Sequence, residues 1–467
     1  MRPLSLTQVA AMAGGRVRGA DVAIDVVATD TRAMPAGAPL FVALKGERFD
    51  GHDHVATAAQ GGAVAALVSR ELDITLPQVV VADTERALAS LAAAMQRERS
   101  AKVVAITGSN GKTSVKTLVL SILQRVAPAY ANPGNRNNEI GLPLAVLEAP
   151  EDARFAIFEM GAGKPGDIAY LTAIARPDVA IVNNIAPAHL ERMGSLLGVA
   201  DTKAAIYDAL PADGVAVINA DDAFAPYFAE RAHGRRLIRF GLEASADVTA
   251  RDIRGDGEGS RFVLVAPPGE IEISLAMPGR HNVLNALAAA SLALGCGASL
   301  DAIAEGLAAA QPVAGRLVTH RLASGAIVID DSYNANPGSL HAAIDTLAAQ
   351  PGQNWLVLGD MRELGADEVM LHAEAGRRAQ AAGIARLYTL GPLSAHAAHT
   401  FGANARSFED HAALAAALQA DGLLHTGAQQ ANPPRGVRVL VKGSRGSAMD
   451  RVVKALLAAD RGQHDAA

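Results

Sequence analysis

Lys102 to Thr113 reads KVVAITGSNGKT, and this stretch decides the fold. Val103 to Ile106 is an unbroken apolar run of strand length, which suits a strand covered on both faces. The loop after it is rich in glycine and ends in Lys112 and Thr113, where a helical pattern begins. Together these make a polyphosphate cradle: glycines let backbone N–H groups close on the phosphates, and the helix N-terminus adds partial positive charge. In such a cradle Gly108, Ser109, Asn110, Gly111 and Ser114 line ATP, Lys112 reaches the β- and γ-phosphates, and the Thr113 hydroxyl ligates Mg2+. The pattern departs from the strict consensus, because the residue five before Gly111 is Ile106 rather than glycine. A plain glycine turn between strand and helix competes with this assignment. The Gly-Lys-Thr triplet at the helix start favours ATP.

On the C-terminal side the apolar pattern recurs at Arg154 to Glu159, Asp178 to Asn183 and Gly214 to Asn219, each followed by a helix-like segment. Such alternation predicts βαβ units and a mainly parallel sheet. Asp247 to Leu275 alternates polar and apolar residues between Gly and Pro turns, which predicts an antiparallel insertion, and a helix from His281 to Leu294 follows. On the N-terminal side, Pro39 to Ala43 and Ala63 to Val68 read as short strands, before an alanine-rich helix and the charged stretch Gln96 to Ser100. Beyond Pro312 to Arg316 the alternation restarts at Ala326 to Asp330, Trp355 to Gly359, Arg386 to Leu390 and Val437 to Val441, while Thr426 to Gly436 reads as a loop. At about 150 residues per domain the chain of 467 predicts three. These are a small α/β domain over residues 1–99, a central phosphate-loop domain with a mainly parallel sheet and helices over 100–313, and a Rossmann-like, doubly wound domain over 314–467.

Hydrophobic residues at 50% and charged residues at 19% predict a soluble globular protein. A net charge of −6 offers no basic face for nucleic acid. No apolar run approaches the roughly 18 residues needed for membrane insertion. Arg2 and Ala11 to Ala13 loosely mimic a signal peptide, but Thr7 and Gln8 interrupt the apolar stretch. Ser5 with Gln8 reads instead as a capping box opening an amphipathic helix. The single cysteine, Cys296, excludes an internal disulfide and reads as a small buried hydrophobe in a reducing compartment. A cytoplasmic monomer is expected.

Several polar groups follow predicted strands, where open α/β sheets place ligands. Glu159 ends an apolar strand, and His189 lies in the loop Ala186 to Glu191 (APAHLE); with Thr113 they are able to form one Mg2+-centred site, although a helix cap and a loop histidine explain them singly. Asn135 to Gly141 (NRNNEIG) suits a sugar or peptide, or merely turns the chain. In DDSYNANP, Asp331 suits ribose hydroxyls, while Asn334 or Asn336 suits a helix cap. Lys442 to Gly446 (KGSRG) suits an anionic group, or a solvated turn.

TGSNGKT, NNEIG, the Glu159 strand, APAHLE, GRHNVLNALAA, DDSYNANP and KGSRG occur in the order seen in the Mur ligases, and the chain resembles that family over nearly its whole length. Thr29 to His52 is similar to the family's UDP-binding domain. DDSYNAN and VKGSRG point within the family to the member that adds D-Ala-D-Ala. The resemblance implies an ATP-dependent amide-bond ligase of peptidoglycan precursor synthesis. ATP phosphorylates the terminal carboxylate of UDP-MurNAc-tripeptide, and the amine of D-Ala-D-Ala attacks the acyl phosphate, giving UDP-MurNAc-pentapeptide, ADP and phosphate.

The resemblance also implies roles. It gives Thr113 and Glu159 to one Mg2+ and His189 to a second, with Lys112, His189 and Lys203 catalytic. Lys203, by itself a solvated helix lysine, matches a lysine that is carbamylated in the family and then holds metal. Asn282 matches an asparagine that reads adenine, and Arg316 and Asp331 match residues that reach the γ-phosphate and ribose from the C-terminal domain, which predicts closure of that domain. Thr31, Arg32, Lys45 and Gly46 match uridine-diphosphate contacts, and Asn137, Asn138, Asn334 and Asn336 are the expected substrate contacts. The alternatives are a sister Mur ligase, a folylpolyglutamate synthase type, which lacks the N-terminal stretch, and a non-ligase ATP-binding regulator or motor. The last needs an aspartate where this chain has Glu159.

Overall fold

The computed structural model describes residues 1–187, 190–255, 259–424 and 436–464. The expected metal ligand His189 and the loop expected at 426–436, apart from Gly436, lie outside the described residues. Among the described residues the central sheet runs edge to edge as Arg236–Phe240, Val215–Asn219, Val179–Val182, Lys102–Thr107, Phe155–Glu159 and Ala129–Ala131, with every pair parallel. Lys102–Thr107 is therefore interior, and later strands lie on both sides of it. Its carboxyl end is a topological switch point, the place where such sheets bind ligands. Glu159 pairs in register with Ile106 and Val182 with Thr107, so Glu159, Gly108 and Asn183 leave the sheet along one edge.

The strands are apolar on both faces because both faces are covered. Val104 and Ile106 pack with helices Lys112–Leu123 and Arg280–Cys296, while Val103 and Ala105 share a core with helices Gly141–Glu148, Asp167–Ala175 and Leu196–Asp208. Each fully buried Leu or Ile in these layers contributes roughly 1.5–3 kcal/mol. The helix Leu300–Ala309 approaches Lys112–Leu123 so closely that a Cβ on Gly306 would lie 2.4 Å from Ile122 Cα. The expected antiparallel insertion is present as Thr249–Gly255, Ser260–Ala266 and Gly269–Leu275, and it adds Phe262, Leu264, Ile273 and Leu275 to the same core.

In the first hundred residues the sheet order is Arg16–Arg18, Gln78–Val80, Ala65–Val68, Pro39–Val42 and Val26–Ala28, parallel except at its first pair. The capping box of Ser5 and Gln8 is formed. Gln96 to Ser100 marks a change of sheet but not of core. Leu88, Leu91 and Met95 of helix Thr84–Arg97 belong to one hydrophobic cluster with Leu142, Val146, Ile168 and Leu171. Arg99 adds to this by donating to Ala149 O at 2.9 Å and pairing with Glu151 at 3.2 Å.

The C-terminal sheet runs Val318–Arg321, Ile327–Asp331, Val437–Lys442, Gln353–Gly359, Arg386–Leu390 and Ala405–Phe408. It is parallel except for the edge strand Val318–Arg321. Two core clusters mark a layer on each face, as the doubly wound pattern predicts. The edge strand is absent from the apolar pattern because its residues, VTHR, are half exposed.

Candidate active site

The phosphate loop is shaped by one glycine and three asparagines. Gly111 has φ +79°, and a Cβ there would lie 2.4 Å from Asn285 Oδ1 and 2.5 Å from Asn183 Nδ2. Asn183 Nδ2 donates to Asn110 O at 3.0 Å, and Asn110 N donates to Asn184 Oδ1 at 2.8 Å. Ser109 Oγ donates to Ala186 O at 3.0 Å. The loop is thus fixed by the end of the neighbouring strand. Lys112 Nζ donates to Gly108 O at 2.7 Å, and burial lowers its pKa, with Glu159 acting the other way and Arg316 reinforcing the fall.

Glu159 is buried at the strand end and fully engaged. Its Oε2 accepts from Thr113 Oγ1 at 2.9 Å and faces Lys116 Nζ at 3.4 Å, and its Oε1 accepts from Asn137 Nδ2 at 2.8 Å. Burial alone raises the pKa of such a carboxyl, but the charges of Lys112 and Lys116 and the bonds from Asn137 and Thr113 outweigh it, so the net shift is downward. Asn132 holds the strand end by accepting from Glu159 N at 2.9 Å and donating to Glu159 O at 3.1 Å.

Lys203, on helix Leu196–Asp208, is only 2% exposed, contrary to a solvated lysine. Burial, reinforced by the charge of Lys112 and opposed by Asp167, lowers its pKa to about 7. It lines a cleft of about 450 Å³ together with Gly108, Lys112 and Glu159, and with Arg316, Tyr333, Asn334 and Arg445 from the C-terminal domain. Asn137 and Asn138 line the same cleft, though Asn137 is bonded to Glu159 and Asn138 Oδ1 accepts from Gly141 N at 2.8 Å.

A second cavity of about 200 Å³ lies between the two domains and is bordered by Gly111, Ser114, Asn282, Asp331 and Lys442. Asn282 Nδ2 donates to Pro278 O at 2.8 Å, and Asp331 Oδ2 accepts from Lys442 Nζ at 2.5 Å. Two bonds reach across from the C-terminal domain to the loop. Arg316 Nη2 donates to Thr113 Oγ1 at 3.3 Å, and Asn336 Nδ2 donates to Asn110 Oδ1 at 2.7 Å. Asn336 Oδ1 meanwhile caps helix Pro337–Ala348 by accepting from Ser339 N at 2.9 Å. Both ends of its amide therefore have partners within the protein, and unlike Asn137, Asn138 and Asn334 it borders neither cavity.

Thr31, Arg32, Lys45 and Gly46 do not border either cavity. They follow the adjacent parallel strands Val26–Ala28 and Pro39–Val42, at the carboxyl edge of the first sheet. Arg32 pairs with Asp30 at 2.7 Å, the backbone of Lys45 forms an isolated antiparallel β-bridge with that of Asp50, and Gly46 N donates to Phe49 O at 3.0 Å. Lys116, Asn132, Asn183 and Asn184 escaped the sequence reading. Lys116 follows Thr113 by one helical turn, which was the available signal; the asparagines at strand ends carry none until the strands are paired.

Three family models cover the chain in the order of its domains. The Mur ligase family catalytic domain matches residues 23–106, the Mur ligase middle domain 106–293, and the Mur ligase glutamate ligase domain 315–459. The chain belongs to the Mur ligase family. This Mur ligase is 44% identical over 457 residues to the UDP-N-acetylmuramoyl-tripeptide–D-alanyl-D-alanine ligase of Escherichia coli (strain K12), covering 98% of this chain and 99% of that one. The crystal structure of MurF from Acinetobacter baumannii superposes on the Mur ligase with a TM-score of 0.90 at 34% identity, over 98% and 99% of the two chains. MurF ligase from Thermotoga maritima in complex with ADP superposes with a TM-score of 0.82 at 27% identity, over 94% and 98%.

Proposed function

We propose that this Mur ligase joins D-Ala-D-Ala to UDP-MurNAc-tripeptide through an acyl phosphate at the expense of ATP. The observation that carries the proposal is Arg316 bonded to Thr113 at 3.3 Å, in the cleft that Arg316 lines together with Lys112. A carboxylate is a poor electrophile because an oxide or hydroxide leaves badly, whereas phosphate leaves well. Transfer of the γ-phosphoryl group to the tripeptide carboxylate therefore makes amide formation feasible. Phosphoryl transfer asks the protein mainly for positioning and charge neutralisation.

Lys112 and Arg316 supply that charge from two domains, and Gly108, Ser109, Asn110, Gly111 and Ser114 cradle the phosphates. The interdomain cavity takes adenosine, with Asn282 against the base and the Oδ1 of Asp331 toward ribose, since its Oδ2 is committed to Lys442. Thr31, Arg32, Lys45 and Gly46 hold the uridine diphosphate, and Asn137, Asn138 and Asn334 face the peptide end. Asn336 keeps the phosphate loop and C-terminal domain in register.

The donor set at the loop suits Mg2+. Thr113 Oγ1 and Glu159 Oε2 are hard oxygen donors 2.9 Å apart, and Mg2+ takes few protein ligands when phosphates supply others. Bound there, the ion neutralises phosphate charge; His189 is assigned to a second ion. Lys203 is a buried amine with a pKa of about 7, so a large share is neutral at neutral pH and nucleophilic toward CO2. We assign it as the carbamylated lysine: its nitrogen bonds to the carbon of CO2 and a proton is released to solvent. The product is an anionic ligand in place of a cation. We place the reaction in the cytoplasm and the enzyme as a monomer; among the described residues no helix is long and apolar enough to cross a membrane.

The test is phosphate release measured across the donor and acceptor pairs of the Mur ligases. Turnover is expected only when UDP-MurNAc-tripeptide and D-Ala-D-Ala are both present. Equal turnover with another pair, or release that ignores the acceptor, overturns the proposal.

A further inference from the structure

We propose that Tyr333 is a positioning residue that holds the guanidiniums of Arg316 and Arg445 at the cleft, and that Arg445 binds a substrate oxyanion there. Arg316 Cζ lies 4.4 Å from the centroid of the Tyr333 ring, and Arg445 Cζ lies 5.4 Å from it. All three side chains border the cleft that contains Lys112. Two cations held on one ring repel each other. The ring's negative face offsets part of that repulsion.

Among the described residues neither guanidinium has an acidic partner within ion-pair distance, and the nearest compensation is the longer-range attraction between Arg445 and Asp450. Arg316 Nε is buried without a hydrogen-bond partner, and its Nη2 reaches only the neutral Thr113 hydroxyl. The scaffold beneath them is fixed. Tyr333 N donates to Gly315 O at 3.1 Å, Lys442 Nζ donates to Asn334 O at 3.0 Å, and Ser444 Oγ donates to Ala335 O at 3.2 Å. DDSYNANP and KGSRG are thereby bound into one platform. It presents two planar donors at the cleft without ion-pair partners, the chemistry that takes phosphoryl or carboxylate oxygens. The inference rests on the ATP phosphates occupying the loop at Lys112.

The experiment compares Tyr333→Phe, Tyr333→Leu, Arg445→Lys and Arg445→Gln with the full-length enzyme. For each, kcat, the KM of all three substrates, the nucleotide Kd by calorimetry and the Tm are measured. Tyr333→Phe keeps the π face and stays within about twofold of the parent, while Tyr333→Leu loses about tenfold or more in kcat/KM at an unchanged Tm. Arg445→Gln raises the KM for ATP if the oxyanion is phosphoryl, or that for D-Ala-D-Ala if it is the acceptor's carboxylate, and Arg445→Lys recovers part of the loss. The proposal is overturned if Tyr333→Phe falls as far as Tyr333→Leu, or if Arg445→Gln leaves kcat and every KM unchanged. Arg445 is exposed, so its variants remain informative should Tyr333→Leu fail to fold. Lys112→Ala tests the ATP assignment separately, since it must abolish nucleotide binding whatever Tyr333 does.

Discussion

Thr113 donates its hydroxyl hydrogen to Glu159 across 2.9 Å, tying the first turn of the phosphate-loop helix to the end of the neighbouring strand. The same carboxylate faces the buried Lys116 at 3.4 Å. Its folded pKa lies below its ordinary 4.5, so the stabilisation it supplies is complete above that value and is lost as acid carries the pH down through the folded pKa. Glu159→Gln keeps the shape but strands Lys116 without an anion. We expect a loss of about 2–3 kcal/mol in urea unfolding and a fall of roughly 100-fold or more in phosphate release. Wild-type turnover in this variant would remove Glu159 from the site.

Gly111→Ala tests the loop itself. The backbone there has φ +79°, and the added methyl would meet Asn285 and Asn183 inside van der Waals contact. Relief requires breaking the bond from Asn183 to Asn110 O. A loss of about 2 kcal/mol or more is expected, together with loss of nucleotide binding by calorimetry. An alanine variant that binds ATP normally would show that the loop is not held as described.

Why Gly111 was legible in the sequence and Lys203 was not follows from distance along the chain. The phosphate loop is local: strand, glycine and helix start lie within a dozen residues, and their periodicity and turn chemistry suffice. Glu159 was legible as well, because a carboxylate closing an apolar strand has a fixed place on a parallel sheet. Lys203 sits mid-helix among alanines, and nothing in LLGVADTKAAIYD says which face meets the sheet; only the packing of Leu196–Asp208 buries it. The edge strand Val318–Arg321 and the shared core of the first two domains were hidden for the same reason, since both depend on partners far along the chain.

Removing the charge of Lys203 should change stability in the opposite direction to Glu159→Gln, although both groups make stability rise with pH. The pKa of Lys203 falls from 10.5 to about 7 on folding, so between those values the unfolded chain holds more protons than the folded one. Stability therefore rises with pH through that window, and the whole burden of the buried ammonium is present below it. In CO2-free buffer at neutral pH, Lys203→Met should be more stable than the parent by on the order of 2 kcal/mol, and its stability should depend less on pH. The same substitution should abolish turnover, and Lys203→Ala should recover part of it with short-chain carboxylates. Urea melts from pH 7 to 9 decide the point; a methionine variant less stable than the parent contradicts the burial of a costly charge.

Asn336 separates the two jobs of one side chain. Its Oδ1 caps helix Pro337–Ala348, and its Nδ2 reaches Asn110 on the phosphate loop at 2.7 Å. Serine is a good cap but is too short to span to Asn110. Asn336→Ser should therefore unfold like the parent while raising the nucleotide Kd several-fold, the loss of one hydrogen bond of about 1 kcal/mol. Asn336→Ala should show the same weakened binding and lose a further 1 kcal/mol or about that in stability, because the cap goes too. If the serine variant binds nucleotide as tightly as the parent, the bond between Asn336 and Asn110 contributes nothing to the ATP site, and Arg316 is left as the bond from the C-terminal domain to the phosphate loop.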